Sequence, residues 1–169
     1  MKNIIAVLAV FGAMSIPVAA NADAVSDFYK GRTVKIVIGG SMGGAYGLYA
    51  QLLSRHVDRH LTGAPTVVVQ SMPGSGGNKA MNYTTNAGAQ DGSLVSVVQI
   101  SVVQETLFNP KVRFNAKNYQ YLGRFADANI VGMASKKSGF KNWKDGKTKQ
   151  FTYGSVGRRN YTYIGIAAM

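Results

Sequence analysis

Residues 33–44 read Thr33-Val34-Lys35-Ile36-Val37-Ile38-Gly39-Gly40-Ser41-Met42-Gly43-Gly44, and this stretch decides the fold. Its first half is β-branched at nearly every position, which suits a strand buried on both faces. The run ends in a glycine-dense turn. Apolar residues then recur three and four apart at Leu48, Tyr49, Leu52, Leu53 and Val57, the spacing of an amphipathic helix. Thr62-Gly63-Ala64-Pro65 stops that helix. The same order follows again. Thr66–Gln70 reads as a second strand, Pro73-Gly74-Ser75-Gly76-Gly77 as a second glycine turn, and Asn78–Asn86 as a second helix. Asp91-Gly92 turns the chain into a third strand, Ser93–Ile100. Strand, glycine loop and helix in alternation predict an α/β fold with a parallel sheet and flanking helices.

Further along, Ser101–Phe108 reads as a short helix ended by Asn109-Pro110. Tyr119–Phe125, Asn129–Ala134 and Phe151–Ser155 carry strand-like composition. Between them, Lys136–Lys149 holds six lysines and little apolar matter beyond Phe140 and Trp143, and reads as a solvated surface loop. A third glycine turn, Gly154-Ser155-Val156-Gly157, precedes a helix that runs toward Met169. No stop signal closes that helix, so the chain is expected to be a fragment of a longer protein.

Met1–Ala22 has the layout of a secretory signal. Lys2 gives the positive start, Ile4–Ile16 an uncharged apolar run, Pro17 a break, and Ala20-Asn21-Ala22 a small-x-small cleavage site. Cysteine is absent, which excludes a lipoprotein anchor, a disulfide framework and a thiolate metal site or nucleophile. An exported protein without cysteine fits a bacterial periplasm. The 169 residues, 46% of them hydrophobic, suffice for one globular core. Nineteen Lys and Arg against seven acids give a net charge of +12, so the partner is expected to be anionic.

Glycine loops that open helices present unpaired backbone N–H groups, and the helix dipole adds to them, so each such loop favours a negative ligand. Glycine lets the ligand approach the main chain, and serine adds a hydroxyl donor. None of the three loops contains Asp or Glu. In a parallel sheet they lie together at the carboxyl ends of the strands. Each alone is equally well a tight turn that lets a helix pack on its strand.

Enzyme readings are weaker. Gly39-Gly40-Ser41-Met42-Gly43 matches the G-x-S-x-G nucleophile elbow, which makes an exported serine hydrolase the alternative function. Its base is missing: His56 and His60 lie on the helix that starts at this turn, roughly 18–25 Å from Ser41 at ~1.5 Å per residue. His56 falls on the apolar stripe and is expected to be packed. A dinucleotide fingerprint fails at Ser41 and at Gln70, where an acid belongs. A phosphate-binding lysine loop fails at Gly77-Asn78-Lys79-Ala80. Two histidines without a carboxylate make a poor metal site. No nucleic-acid-reading motif accompanies the charge. No cofactor, metal or nucleic acid is expected.

Several stretches resemble the substrate-binding proteins of tripartite tricarboxylate transporters, the Bug family of periplasmic solute receptors. Phe28-Tyr29-Lys30-Gly31-Arg32-Thr33-Val34 is similar to the start of the mature receptors, and GGSMGGAYGLYAQLLSRHVDRHLTGAPTVVVQSMPGSGG (residues 39–77) is similar nearly throughout. Gly43-Gly44 and Tyr49-Ala50 stand where the family has its first ligand loop and helix. Val67–Gln70 with Met72-Pro73-Gly74-Ser75-Gly76-Gly77 resembles its most recognisable motif, and Asp91-Gly92 the turn before its third strand. Tyr153-Gly154-Ser155-Val156-Gly157 resembles the loop by which its second domain meets the ligand. The likeness is close over residues 28–100 and looser over 119–169.

The resemblance implies a type II periplasmic-binding-protein fold, a two-domain clam shell that is truncated here. Residues 1–22 would be the signal, 23–100 the first α/β domain, and 101–169 the crossover and the start of the second. It implies a monomeric periplasmic receptor, not an enzyme, that captures a small carboxylate or other organic anion and hands it to a membrane permease. The candidate ligand residues are Ser41, Met42, Gly43 and Gly44 from the first loop, Ser75 and Gly76 in support, and Ser155, Val156 and Gly157 from the third. Met42 and Gly47 depart from the family's Pro and Asp, and the loss of that Asp bears on ligand preference. Arg158 and Arg159 stand beside the third loop, where they either bind a second carboxylate, obstruct close approach or point to solvent; solvent is the favoured reading. With half the shell absent, this chain alone is expected to bind weakly.

Overall fold

The computed structural model describes residues 23–127, 131–155, 158 and 160–167, with Val103 and Phe108 described as backbone only. The expected signal, Val156, Gly157, Arg159 and part of the Asn129–Ala134 strand lie outside the described residues. The fold is α/β, with a small open parallel sheet and flanking helices.

Helix α1 (Ala24–Tyr29) leads in, capped by the Asp23 carboxylate on the Val25 amide. Strand β1 (Thr33–Ile38) passes through the glycine turn into α2 (Ala45–Ser54). Strand β2 (Thr66–Ser71) leads through a 3-10 turn at Ser75–Gly77 into α3 (Asn78–Asn86). Strand β3 (Leu94–Val97) precedes α4 (Ser101–Phe108), and α5 (Tyr161–Ala167) comes last. The sheet order is β2-β1-β3, parallel throughout, with Ile36 opposite both Val69 and Val95.

The pleat sorts the core into two faces. Ile36, Ile38 and Val97 point to one face, where Ala50 of α2 packs on them with Tyr46 and Leu53 at the margin. On the other, Met81 of α3 reaches Ser96 of β3, and a second cluster joins Met81, Val102 and Phe114. Helices on opposite faces of a 2-1-3 sheet mean that the connections leaving β1 and β2 run to opposite sides. The carboxyl ends of β1 and β3 therefore border the topological switch point, where α/β sheets open a crevice.

Three expectations are corrected. Of the expected α2 stripe, Leu53 packs against the sheet core, but Leu48, Tyr49 and Leu52 stay exposed at 60%, 39% and 54%. Gly47 and Ala50 are buried instead, because small residues let the helix axis come close to the sheet. Tyr49 stacks on Phe125 at 5.5 Å between ring centroids. His56 is exposed, not packed, and its Nδ1 lies 2.8 Å from the Arg59 guanidinium. Tyr119–Phe125, Phe151–Ser155 and the described part of Asn129–Ala134 form no strand, since none of them pairs with a sheet edge. Strand propensity without a hydrogen-bonding neighbour does not make a strand.

Lys136–Lys149 is exposed at all six lysines, as a solvated loop should be. Its two short 3-10 turns, Lys136–Ser138 and Trp143–Lys147, are locally capped by Ser135 and Asn142.

Candidate functional site at the carboxyl end of the sheet

The three strand ends converge tightly. A β-carbon on Gly39 would stand 2.6 Å from the Cα of Gly77, so the turns after β1 and β2 touch backbone to backbone. A β-carbon on Gly77 would meet Gln99 Oε1 at 2.8 Å, and one on Gly40 would lie 3.5 Å from Gln99 Nε2. Gln99, just past β3, thus fits its amide between the two glycine turns and is only 5% exposed. Among the described residues its buried Oε1 has no hydrogen-bond partner, nor has either amide atom of Asn78 at the start of α3.

Hydroxyls brace this apex. Ser71 donates to the Gly40 carbonyl at 2.8 Å, and Ser101, fully buried, donates to the Gly76 carbonyl at 3.3 Å. In the second turn, residues Gly74, Ser75, Gly76 and Gly77 all have positive φ. Ser75, at φ 49°, is the non-glycine among them, a conformation that costs energy for a residue with a β-carbon.

The first turn is shaped by what it packs against. Gly44 caps α2 without a side-chain hydrogen bond, which leaves the first-turn amides without a side-chain acceptor. Gly77 likewise caps α3 with no side chain. The Ser41 and Met42 carbonyls fold back over Gly47. A β-carbon there would come within 2.6 Å of the Ser41 oxygen and closer still to that of Met42. Gln51 Nε2, one turn along α2, donates to Met42 O at 2.9 Å and holds the turn in this shape. Ser41, Met42 and Gly43 are exposed and Gly44 is half-buried. A side chain at position 47 would displace the Ser41 and Met42 carbonyls, so the turn in this shape requires glycine there.

Of the predicted residues, the structure brings the Ser41–Gly44 turn and the Ser75–Gly76 turn to one end of the sheet. Ser155 is exposed. The helix after it does reach this end. The Tyr46 phenol, at the start of α2, is pushed above its ordinary pKa mainly by burial; the Ile100 amide opposes the shift and the Tyr161 phenol of α5 adds to it. Arg158 is exposed. Gln99 and Asn78 were missing from the sequence reading. Gln99 carries the one available signal, a polar residue in an otherwise apolar strand-to-helix passage.

Among the described residues, neither histidine is hydrogen-bonded to Ser41. His56 is engaged with Arg59 beyond the far end of α2, which is about 15 Å long at ~1.5 Å per residue. Among the described residues there is no group of three His, Cys, Asp or Glu that could hold a metal ion, and no helix long and apolar enough to cross a membrane.

No protein-family model, curated protein or solved structure matches the chain, so the family resemblance rests on its motifs alone.

Proposed function

We propose that this chain is part of a periplasmic receptor that captures a small carboxylate or related organic anion and delivers it to a tripartite tricarboxylate-type permease. The supporting observation is the approach of two glycine-capped helix starts, α2 and α3, at the carboxyl end of a parallel sheet. Such helix starts attract anions through free amides and the helix dipole. Gly43 and Gly44 supply main-chain N–H groups and Ser41 a hydroxyl. Ser75 and Gly76 support them from the second turn, and Ser155 with its neighbours Val156 and Gly157 supplies donors from the opposite lobe of a clam shell. Charge-assisted hydrogen bonds of this kind hold a carboxylate without a lysine or arginine in the site.

The test is a thermal-shift series with mono-, di- and tricarboxylates, run beside a serine-reactive fluorophosphonate. The receptor reading expects a saturable rise in melting temperature with at least one carboxylate and no labelling of Ser41. Labelling of Ser41 with turnover of an ester would replace it with the hydrolase reading.

A further inference from the structure

The stretch from Val131 to Lys149 takes no part in the proposed ligand site, and it concentrates lysine. Lys136, Lys137, Lys141, Lys144, Lys147 and Lys149 are all exposed. Asp145 is the only acid among them, and its carboxylate is turned onto the chain itself. It accepts from the Lys141 amide at 2.6 Å and the Asn142 amide at 3.3 Å, and pairs with Lys149 at 3.7 Å. The outward face is therefore almost purely cationic. Large apolar side chains are exposed in the same stretch: Val131 at 73%, Met133 at 93% and Trp143 at 58%. Lys147 lies over the Trp143 ring at 5.0 Å, so cation and indole form one patch.

We propose that residues 131–149 form a docking surface for an anionic lipid bilayer, with Trp143 as the interfacial anchor and the lysines as the electrostatic attachment. Clustered lysines gain attraction from the negative potential of anionic lipids within a Debye length. Indole prefers the headgroup region, where its ring is half-solvated and its N–H remains wet. An acidic protein face would satisfy the lysines, whereas a bilayer interface also takes up the exposed Trp143 indole that Lys147 overlies. The capped turns at Ser135 and Asn142, with Phe140 packed edge-on against Phe151 at 5.2 Å, hold the patch in shape. This proposal stands apart from the receptor reading and survives or fails without it.

Trp143 is the only tryptophan in the chain, so intrinsic fluorescence reports on this patch alone. The full chain is titrated with phosphatidylcholine vesicles and with vesicles in which about one lipid in three is phosphatidylglycerol. The expected result is a blue shift of Trp143 emission with the anionic vesicles only, reversed by raised salt. In co-sedimentation, Lys141→Gln, Lys144→Gln and Lys147→Gln combined should lower vesicle affinity roughly a hundredfold, at about a tenfold loss per 1.4 kcal/mol and ~1 kcal/mol per lysine. Trp143→Ala should lower it further. Equal shifts with neutral vesicles overturn the proposal. So does vesicle binding that leaves Trp143 emission unchanged, since another part of the chain is then responsible. A blue shift with polyglutamate but not with vesicles also overturns it and assigns the patch to an acidic protein partner.

Discussion

Gly39 and Gly77 meet so closely that a β-carbon on the first would stand 2.6 Å from the α-carbon of the second. This contact joins the turn that opens α2 to the turn that opens α3, and brings both helix starts to the same end of the sheet. Gly39→Ala should therefore push the two turns apart and destabilise the fold by about 1–3 kcal/mol, the usual cost of overpacking. Gly43, in the same turn, has open space where a β-carbon would go, and its alanine variant should stay within about 0.5 kcal/mol of the parent. Urea melts of the two variants check the contrast; equal losses would mean the turns do not touch.

Gly47 should reverse a familiar rule. Alanine for glycine inside a helix ordinarily stabilises by about 1 kcal/mol. Here the Ser41 and Met42 carbonyls occupy the place of the β-carbon, so Gly47→Ala should lower stability instead. Gly47→Asp should do the same and also move the Met42 carbonyl off Gln51. A rise in melting temperature for Gly47→Ala would show that the turn is free to leave the helix.

On the proposed function, Gln99 should couple stability to binding. Its buried Oε1 is unpaired among the described residues, and an unpaired buried acceptor costs about 1–3 kcal/mol. Gln99→Leu removes that cost at similar size, so the variant should melt no lower than the parent. It should nevertheless bind the carboxylate less well, because Nε2 is lost from beside the Gly40 turn. Melting curves and titration of the same variant separate the two effects. A variant that is less stable and binds unchanged would mean that Gln99 is a packing residue only.

Two carboxylates give a pH dependence. Hydrogen bonds from the Ser93 hydroxyl and amide hold Asp91 below its ordinary pKa, with Arg32 adding to them. The Lys141 amide, with the Asn142 amide and Lys149, does the same for Asp145. A carboxylate whose pKa is lower in the folded state stabilises above its unfolded value and loses that contribution as pH falls through the folded one. The turns at Asp91-Gly92 and Lys141–Lys149 should thus be intact at neutral pH and loosen below about pH 4. Amide exchange at Ser93 and Lys141 should accelerate in that range, and Asp145→Asn should show the loosened turn already at neutral pH. Unchanged exchange at Lys141 in that variant would contradict the assignment.

Much of the sheet was legible in the amino-acid sequence because β-branched runs and glycine turns act locally. Thr33–Ile38, Thr66–Ser71, Asn78–Asn86 and Ser101–Phe108 lie where period and punctuation put them. The orientation of α2 was not legible. Hydrophobicity favours the Leu48, Tyr49, Leu52 face, whereas close packing against Ile36 and Ile38 favours the small residues Gly47 and Ala50. Tyr119–Phe125 and Phe151–Ser155 look like strands because propensity carries no information about a partner edge. The contact of Gly39 with Gly77 and the position of Gln99 depend on residues far apart in the chain, which no local pattern encodes. Ser41, Gly43, Gly44, Ser75 and Gly76 were legible as turn residues, while the folding of Ser41 and Met42 over Gly47 needed the structure.

Main-chain amides are the proposed anion holders, and amide NMR observes them directly. Titration of the isotope-labelled chain with succinate and citrate should move the Gly43, Gly44 and Ser155 amide signals together along one saturable curve, even if binding is only millimolar. Shifts confined to the lysines of residues 136–149, or no shift at Gly43 and Gly44 with any carboxylate, would contradict that role.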